Sequence, residues 1–276
     1  MRSASMYVHR PVVERLRGFG VHSGLASALA LRCVDGPIVL AVEESRRPLD
    51  ALELVDTTRS TNVRVGDAVV RTVEHLFAAM GGLGIRSGLL ASIEGGEVPL
   101  LDGGALAFAE ALRRLGASAS PPRTSVVKSE VVEIGGSRYE FRPGPTVHVE
   151  VELDFPGTPI ESAKRASWTG DAEDFLRRIA PARTFVLERE IAALGEASLA
   201  KFADASSVVI VGERLFGAGT VAADEPARHK LLDLVGDLML HGGPPRGSVI
   251  ARRPGHRGNH AALAIAKERH IVVEIG

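Results

Sequence analysis

The sequence is poor in cysteine, in aromatic residues and in net charge. Its 276 residues include one cysteine, Cys33, so no disulfide can form within the chain. This is consistent with a reducing compartment, and we expect a cytoplasmic protein. Lys and Arg number 33 against 34 Asp and Glu, and a formal charge of −1 argues against a general nucleic-acid binder. We therefore expect no nucleic-acid partner.

Long apolar runs are missing as well. Residues 1–10 are mixed and polar and lack the apolar core of a secretory signal. No apolar run approaches the roughly 20 residues that span a bilayer, so we expect no transmembrane segment. Aromatic residues make up 4% of the chain, but a hydrophobic share of 45% is normal for a protein that buries a full core.

Apolar periodicity predicts strands and helices in a mixed order. The predicted helices cover residues 72–82, 102–115, 171–179, 186–194, 225–240 and 260–269. The predicted strands cover residues 12–31, 37–42, 87–94, 125–134, 138–142, 147–155, 207–211, 248–252 and 271–275. Because the order is not a regular alternation, it favours an α+β fold.

A small polar stretch, GASASPPR at residues 116–123, is the candidate linker between two domains. We place the domains at residues 1–120 and 121–276, a length that ordinary domains reach. Each contains several predicted strands and about two main helices. The halves have no clear sequence repeat, but their similar content raises the possibility of structural duplicates.

Three polar residues recur at helical spacing in the segment HKLLDLVGD. His229, Asp233 and Asp237 are four positions apart and share one face of the predicted helix. Much of the remaining surface is apolar, so this polar stripe either faces water or binds a ligand. His and Asp one turn apart can share a metal ion, and nitrogen and oxygen ligands suit zinc. The segment alone leaves both readings open.

Three further segments carry weaker signals. Glu74 and His75 at a helix start could supply a base and a third metal ligand, or form an ordinary solvated pair. His256 lies in a glycine-rich loop, where sites often occur, yet an exposed loop histidine is common. Thr184 precedes Phe185, which alone indicates little. Cys33 follows the apolar Leu29-Ala30-Leu31, which predicts a buried structural thiol.

Taken together and in this order, the segments resemble the UDP-3-O-acyl-N-acetylglucosamine deacetylase family over nearly the whole chain. The segments that carry the resemblance are GFGVHSG (18–24), TVEHLFAAMGGLGI (72–85), VPLLDG (98–103), IAPARTF (179–185), DEPARHKLLDLVGDL (224–238) and Gly255-His256. One such match could arise by chance, but six in the correct order could hardly do so.

The resemblance implies an enzyme that uses Zn²⁺ to hydrolyse the N-acetyl group of UDP-3-O-acyl-N-acetylglucosamine. This reaction releases acetate and is the committed step of lipid A biosynthesis. The implied fold has two α+β domains, each a sheet packed with two main helices, and the active site lies between them. An insert within about residues 186–221 is expected to form an acyl-chain passage. The implied partner is a small acylated UDP-amino sugar, and we expect a monomer.

The resemblance also assigns roles to individual residues. Its zinc ligands correspond to His75, His229 and Asp233, and its general base corresponds to Glu74. The other implied roles are general acid for His256, carboxylate partner of that acid for Asp237, oxyanion stabiliser for Thr184, and substrate contacts for Phe185, Lys230 and Arg253.

The sequence departs from the family pattern at three places outside the implied zinc site. The family's glycine-rich stretch with Asn is replaced at residues 198–207, its Asp-Gly-Ser reads Asp102-Gly103-Gly104, and Arg253 stands where Lys is common. These departures bear on the acyl chain and the substrate. One alternative is a paralogous zinc amidohydrolase acting on another acylated amino sugar. Another is a catalytically silent binding protein, which is disfavoured because no implied catalytic position is lost.

Overall fold

A computed structural model describes residues 12–191 and 206–275. The first half contains strands β1 (Glu14–Phe19), β2 (Ala26–Cys33), β3 (Val39–Val42), β4 (Ser45–Pro48), β5 (Glu53–Asp56), β6 (Asn62–Val65) and β7 (Ala68–Val70), a 3-10 turn (Leu49–Ala51), helix α1 (Glu74–Gly82), strand β8 (Leu89–Glu94) and helix α2 (Leu106–Leu115). Strands β1, β2, β8, β3 and β4 form one sheet in that order, and β5, β6 and β7 form a small second sheet.

The second half begins with strands β9 (Thr124–Val126), β10 (Glu130–Ile134), β11 (Ser137–Arg142), β12 (Val147–Glu152) and β13 (Arg165–Trp168), with a 3-10 turn at Pro159–Ala163. It continues with α3 (Ala172–Asp174), a π turn (Phe175–Ile179), β14 (Thr184–Leu187), α4 (Glu188–Ile191), β15 (Val208–Val211), β16 (Leu215–Phe216), α5 (Glu225–Met239), β17 (Gly247–Arg252), α6 (His256–Glu268) and β18 (Val272–Glu274). The α+β fold predicted from the sequence is confirmed.

The two main sheets have the same strand order. Strands β10, β11, β17, β12 and β13 follow each other as β1, β2, β8, β3 and β4 do, and each sheet contains one parallel pair, β3–β8 or β12–β17. A small three-stranded sheet precedes the central helix of each half, α1 or α5. Strands β9 and β18 pair with each other. The halves are therefore built on one design.

The central helices α1 and α5 pack directly against each other. All residues of α1 are buried, as are those of α5 except Arg228 and Lys230. A surface helix turns its polar residues toward water. Because α5 is buried on nearly every side, its polar residues His229, Asp233 and Asp237 lie inside the protein instead. Gly236 permits the close crossing: a Cβ there would overlap the backbone carbonyl oxygen of Glu74 and lie 3.2 Å from the nitrogen of Ala78.

Several predicted boundaries were wrong. Helix α6 begins at His256 rather than at residue 260, because Gly255 is the last extended residue and the helix starts directly after it. Val186 and Leu187, predicted to begin a helix, belong instead to strand β14, since the run TFVL at Thr184–Leu187 pairs with β15. The predicted helix at 186–194 is reduced to α4, and residues 192–194 lie outside the described residues. Residues 171–179 are helical, but mostly as a π turn.

Cys33 was also predicted wrongly, because its side chain is exposed rather than buried. It is the last residue of β2, and helix α2 ends at Leu115, whose carbonyl oxygen lies 3.7 Å from the Cys33 sulfur. No further turn of α2 covers the end of the strand. Within the described ranges, the protein has no helix with the length and apolarity that crossing a membrane requires.

Candidate active site

Three helices bring the candidate residues to one place. Glu74 and His75 begin α1, and His256 begins α6. The stripe of α5 faces them, because the crossing at Gly236 holds α5 against the first turn of α1. His229, Asp233 and Asp237 are at most 3% exposed. Their helical spacing therefore marks a buried polar site and not a solvated face.

His75, His229 and Asp233 form a cluster that can hold a metal ion. Their donor atoms lie within 4.8 Å of one another. The Asp233 Oδ1 atom lies 3.3 Å from His229 Nε2 and 3.7 Å from His75 Nε2. Zinc bonds of about 2.0–2.2 Å in a tetrahedral site place ligand atoms roughly 3.3–3.6 Å apart. The spacing matches a small divalent ion with nitrogen and oxygen ligands.

Unpartnered atoms in the cluster support a metal site. Asp233 Oδ1 and His75 Nδ1 are buried and have no hydrogen-bond partner among the described residues. Leaving a buried carboxylate oxygen unpaired is costly, so a bound cation would remove a penalty at Asp233. The His229 Nδ1 atom lies 3.0 Å from the carbonyl oxygen of Ala182, to which Nδ1–H donates. This orients Nε2 of His229 toward Asp233, as in many metal-bound histidines.

The protonation states of the cluster also suit a metal. Burial lowers the pKa of His229 to about 3, so its imidazole is neutral near pH 7. Burial alone would raise the pKa of Asp233, but His229 and Lys230 hold it well below its usual range. The Lys230 ammonium is 2.7 Å from Asp233 Oδ2. His229 and Asp233 thus present deprotonated donors, which metal binding requires.

His256 forms a buried pair with Asp237. Its Nδ1 atom lies 2.9 Å from one carboxylate oxygen and 3.2 Å from the other. Burial disfavours the imidazolium, but the attraction of Asp237 outweighs burial and raises the pKa of His256 to about 9. Its other nitrogen, Nε2, lies 3.8 Å from Glu74 Oε1 and 3.9 Å from Asp233 Oδ2. His256 therefore points a protonated nitrogen at the cluster.

Glu74 is buried beside the cluster without belonging to it. Its Oε2 atom accepts a hydrogen bond of 2.9 Å from the backbone nitrogen of Thr61. Burial raises the pKa of the Glu74 carboxyl, although His256 and His75 oppose this shift. A carboxylate with a raised pKa is a stronger base than an exposed one, so Glu74 is suited to accept a proton.

A cavity of about 410 Å³ opens onto these groups. Besides Glu74 and the metal cluster, its lining includes Thr184, Phe185, Lys230 and His256. The Lys230 ammonium lies 5.5 Å from the centre of the Phe185 ring, which packs edge to face against Phe155. The lining also includes four apolar side chains, those of Val21, Leu100, Val186 and Val208.

Two predicted residues lie away from the cavity surface. Asp237 is fully buried behind His256. Arg253 does not line the cavity; its side chain is 59% exposed and its Nε atom lies 3.4 Å from Asp154. Of the predicted acyl-chain insert, residues 186–191 and 206–221 are described, and they include the small sheet β14–β15–β16. Most of the departure at residues 198–207 lies outside the described residues.

Sequence reasoning missed three residues that surround Asp237. Its carboxylate accepts hydrogen bonds from Thr61 Oγ1 at 2.6 Å and Asn259 Nδ2 at 2.7 Å, and His260 Nε2 lies 3.3 Å away. His260 follows His256 by four residues, a helical spacing that the misplaced start of α6 concealed. No local pattern could have found Thr61, which lies 176 residues before Asp237.

The buried carboxylate of Glu97 holds the loop that contains His22 in place. Glu97 accepts hydrogen bonds from the backbone nitrogens of His22 at 2.9 Å and Ser23 at 2.8 Å. The Thr72 side chain, just before α1, does not cap the helix; its hydroxyl donates to Glu97 at 3.0 Å. Glu97 thereby ties the glycine-rich turn at residues 18–24 to the start of α1.

Comparison with known proteins agrees with this geometry. A sequence model of the UDP-3-O-acyl N-acetylglycosamine deacetylase family matches residues 11–266. Proteins from Brucella ovis, Brucella canis and Brucella suis, each named UDP-3-O-acyl-N-acetylglucosamine deacetylase, are 34% identical to this chain over 260 residues. Each alignment covers 90% of this chain and 90% of the relative. Over nearly its whole length, the chain belongs to the UDP-3-O-acyl N-acetylglycosamine deacetylase family.

Proposed function

We propose that this chain hydrolyses the N-acetyl group of UDP-3-O-acyl-N-acetylglucosamine, releasing acetate, in lipid A biosynthesis. One observation carries the proposal: a buried His-His-Asp cluster lies beside a carboxylate and an imidazolium in one cavity. The family and the names of the Brucella relatives supply the substrate. Glu74 and His75 come from the proposed first domain, residues 1–120, and the other groups from residues 121–276.

His75, His229 and Asp233 would hold one zinc ion per chain, and three protein ligands leave a coordination position open. Bound zinc lowers the pKa of water and polarises the amide carbonyl of the substrate. The arrangement of two buried histidines and an unpartnered Asp233 oxygen supports this choice of residues. Nitrogen and oxygen donors suit zinc.

Glu74 and His256 would handle the two protons of the hydrolysis. Glu74 accepts a proton from the attacking water, since burial makes its carboxylate a better base. His256 donates the Nε2 proton to the leaving amine, and Asp237 holds its imidazolium. The 3.8 Å between Glu74 Oε1 and His256 Nε2 brings both groups to one reacting amide. The C–N bond breaks, and acetate and the free amino sugar leave.

Further residues of the cavity would position the substrate. The Thr184 hydroxyl donates to the oxygen that gains negative charge in the transition state. Lys230 and Phe185 contact the sugar nucleotide, and exposed Arg253 meets its charged part beyond the cavity. The 3-O-acyl chain follows the apolar lining residues Val21, Leu100, Val186 and Val208. We propose a monomer, because every group in this scheme comes from one chain.

Metal analysis joined to a substrate panel tests the proposal. Purified protein should contain one zinc per chain, lose activity on chelation and regain it with Zn²⁺. UDP-N-acetylglucosamine should be deacetylated far more slowly than its 3-O-acyl derivative. Zinc-loaded protein that deacetylates neither compound but acts on another acylated amino sugar would favour the paralogue. Binding of the acylated compound without turnover would favour a silent binding protein.

A further inference from the structure

A second cavity, of about 510 Å³, lies where the two halves meet at the far end of α5. The active site uses residues up to Asp237, whereas this cavity is lined by Met239 and Leu240 at the end of the helix. A helix rises about 1.5 Å per residue, so Leu240 lies roughly 10 Å along the axis from Asp233. The remaining walls come from the β3 and 3-10 turn region, β9 and the ends of α6 and β18. The two cavities are therefore separate.

Arg86 lines this second cavity and is 6% exposed. Its Nη2 atom donates to the carbonyl oxygen of Pro244 at 3.3 Å, whereas Nε and Nη1 find no hydrogen-bond partner in the part of the chain that the structure describes. In residues 12–191 and 206–275, no carboxylate forms an ion pair with it. Arginine is rarely buried unless paired, because an isolated buried charge is costly.

The fold makes room for this guanidinium but does not neutralise it. Gly243 has φ +84°, and a Cβ there would overlap Arg86 Nη1. Helix α5 ends at Met239, which lines this cavity, and a helix C-terminus carries about half a negative charge. That partial charge favours a cation, yet two N–H groups of Arg86 have no hydrogen-bond partner among the described residues.

The other charged groups of the lining leave the cavity positive. Exposed Arg123 and half-buried Lys267 add two cations, and Asp50 and Glu274 add two exposed carboxylates. Burial and the nearby Arg123 lower the pKa of Arg86 to about 10, so its guanidinium still carries a charge near pH 7. The lining therefore carries three cations and two anions. Arg86 is the most buried of these five residues, and no described carboxylate forms an ion pair with it.

We propose that this cavity binds a small molecule through an anionic oxygen group, phosphate or carboxylate, that serves as the counter-charge of Arg86. Planar guanidinium groups are well matched to both oxyanions. The volume lies within the roughly 300–1,000 Å³ of small-molecule sites. Ile38, Leu49 and Met239 provide an apolar wall for the rest of the ligand. The site lies outside the proposed catalytic machinery and does not depend on the reaction.

Thermal unfolding of the zinc-loaded protein with inorganic phosphate or citrate, at constant ionic strength set with chloride, tests the site. Wild type should gain roughly 2–3 °C for each tenfold rise in ligand concentration above Kd. Arg86→Met should lose this gain, and in chloride it should melt no lower than wild type, because it buries no unpaired charge. The control Arg113→Met, at an exposed position of α2, should respond as wild type does.

The variants separate this cavity from the active site, because Arg86→Met leaves the active site intact. Stabilisation by phosphate alone identifies a phosphate ligand, and stabilisation by citrate alone identifies a carboxylate. Equal gains in wild type and Arg86→Met, or no gain with either anion, would overturn the proposal. If Arg86→Met does not fold, anomalous diffraction from selenate-soaked wild-type crystals decides. A peak beside Arg86 supports the site, and peaks only elsewhere overturn it.

Discussion

Replacing Asp237 by Asn removes the charge that holds the imidazolium of His256 and keeps the shape of the side chain. The two residues are joined by contacts of 2.9 and 3.2 Å in a buried position. Asp237 raises the pKa of His256 to about 9, whereas an ordinary histidine has a pKa of about 6.5. Since His256 must be protonated to donate, Asp237→Asn should move the basic limb of the pH profile down by about 2 units.

The magnitude follows from the protonated fraction of His256. At pH 8, a pKa of about 9 leaves roughly nine-tenths of the imidazole protonated, and a pKa of about 6.5–7 leaves less than about one-tenth. The variant should therefore lose roughly tenfold or more in kcat/KM at pH 8 and much less at pH 6. Asp237 also raises the pKa of Glu74, so the acidic limb should move down too.

The measurement is kcat/KM from about pH 5 to pH 10 at saturating zinc. Asp224→Asn is a matched control, because Asp224 precedes the same helix and is paired with Arg228 away from the cavity. Its profile should equal that of wild type. The limbs report coupled groups, so the assignment depends on the variants. A basic limb that stays in place in Asp237→Asn would refute the pairing of Asp237 with the general acid.

Three further substitutions test separate parts of the site. Glu74→Gln should lower kcat by about 10²–10⁴-fold with zinc content unchanged, and near-normal turnover would move the base role elsewhere. Thr61→Val removes a buried hydroxyl 2.6 Å from Asp237 and should lower the free energy of unfolding by about 1–3 kcal/mol in denaturant titrations. Gly236→Ala should lower the free energy of unfolding by about 1–3 kcal/mol, because the added Cβ overlaps the carbonyl oxygen of Glu74. The control Gly144→Ala should lower it much less, because its Cβ would make only an ordinary contact at 3.4 Å.

The parts of the site that could be predicted from the sequence are residues that lie close together along the chain at helical spacing. Four-residue spacing placed His229, Asp233 and Asp237 on one helix face, and the structure buries all three. Residues alone could not distinguish a solvated stripe from a ligand site, because that depends on which element covers the helix. The meeting of His75 with this stripe depends on the α1–α5 crossing, and it followed only from the resemblance to a family.

Other features were beyond local patterns. The identical strand order of the two sheets depends on pairing between distant strands, and no sequence repeat records it. Thr61 reaches Asp237 only because β6 and α5 fold together. Arg86 follows α1 in an ordinary turn, and its burial arises from contact with the Pro244 loop of the other half. The exposure of Cys33 could not be predicted either, because the apolar pattern of β2 does not show where the helix that covers the strand ends.

The candidate ligands lie far apart in the chain, since 154 residues separate His75 from His229 (229 − 75). An ion held by both residues and Asp233 would act as a removable crosslink that closes this long loop. Closing a loop lowers the conformational entropy of the unfolded chain, and this loss grows slowly with the length of the loop. The loss is therefore considerable for a loop of this size. Chelation should therefore lower the melting temperature as well as the activity, and the melting temperature should fall even in Glu74→Gln, where little turnover remains to be lost.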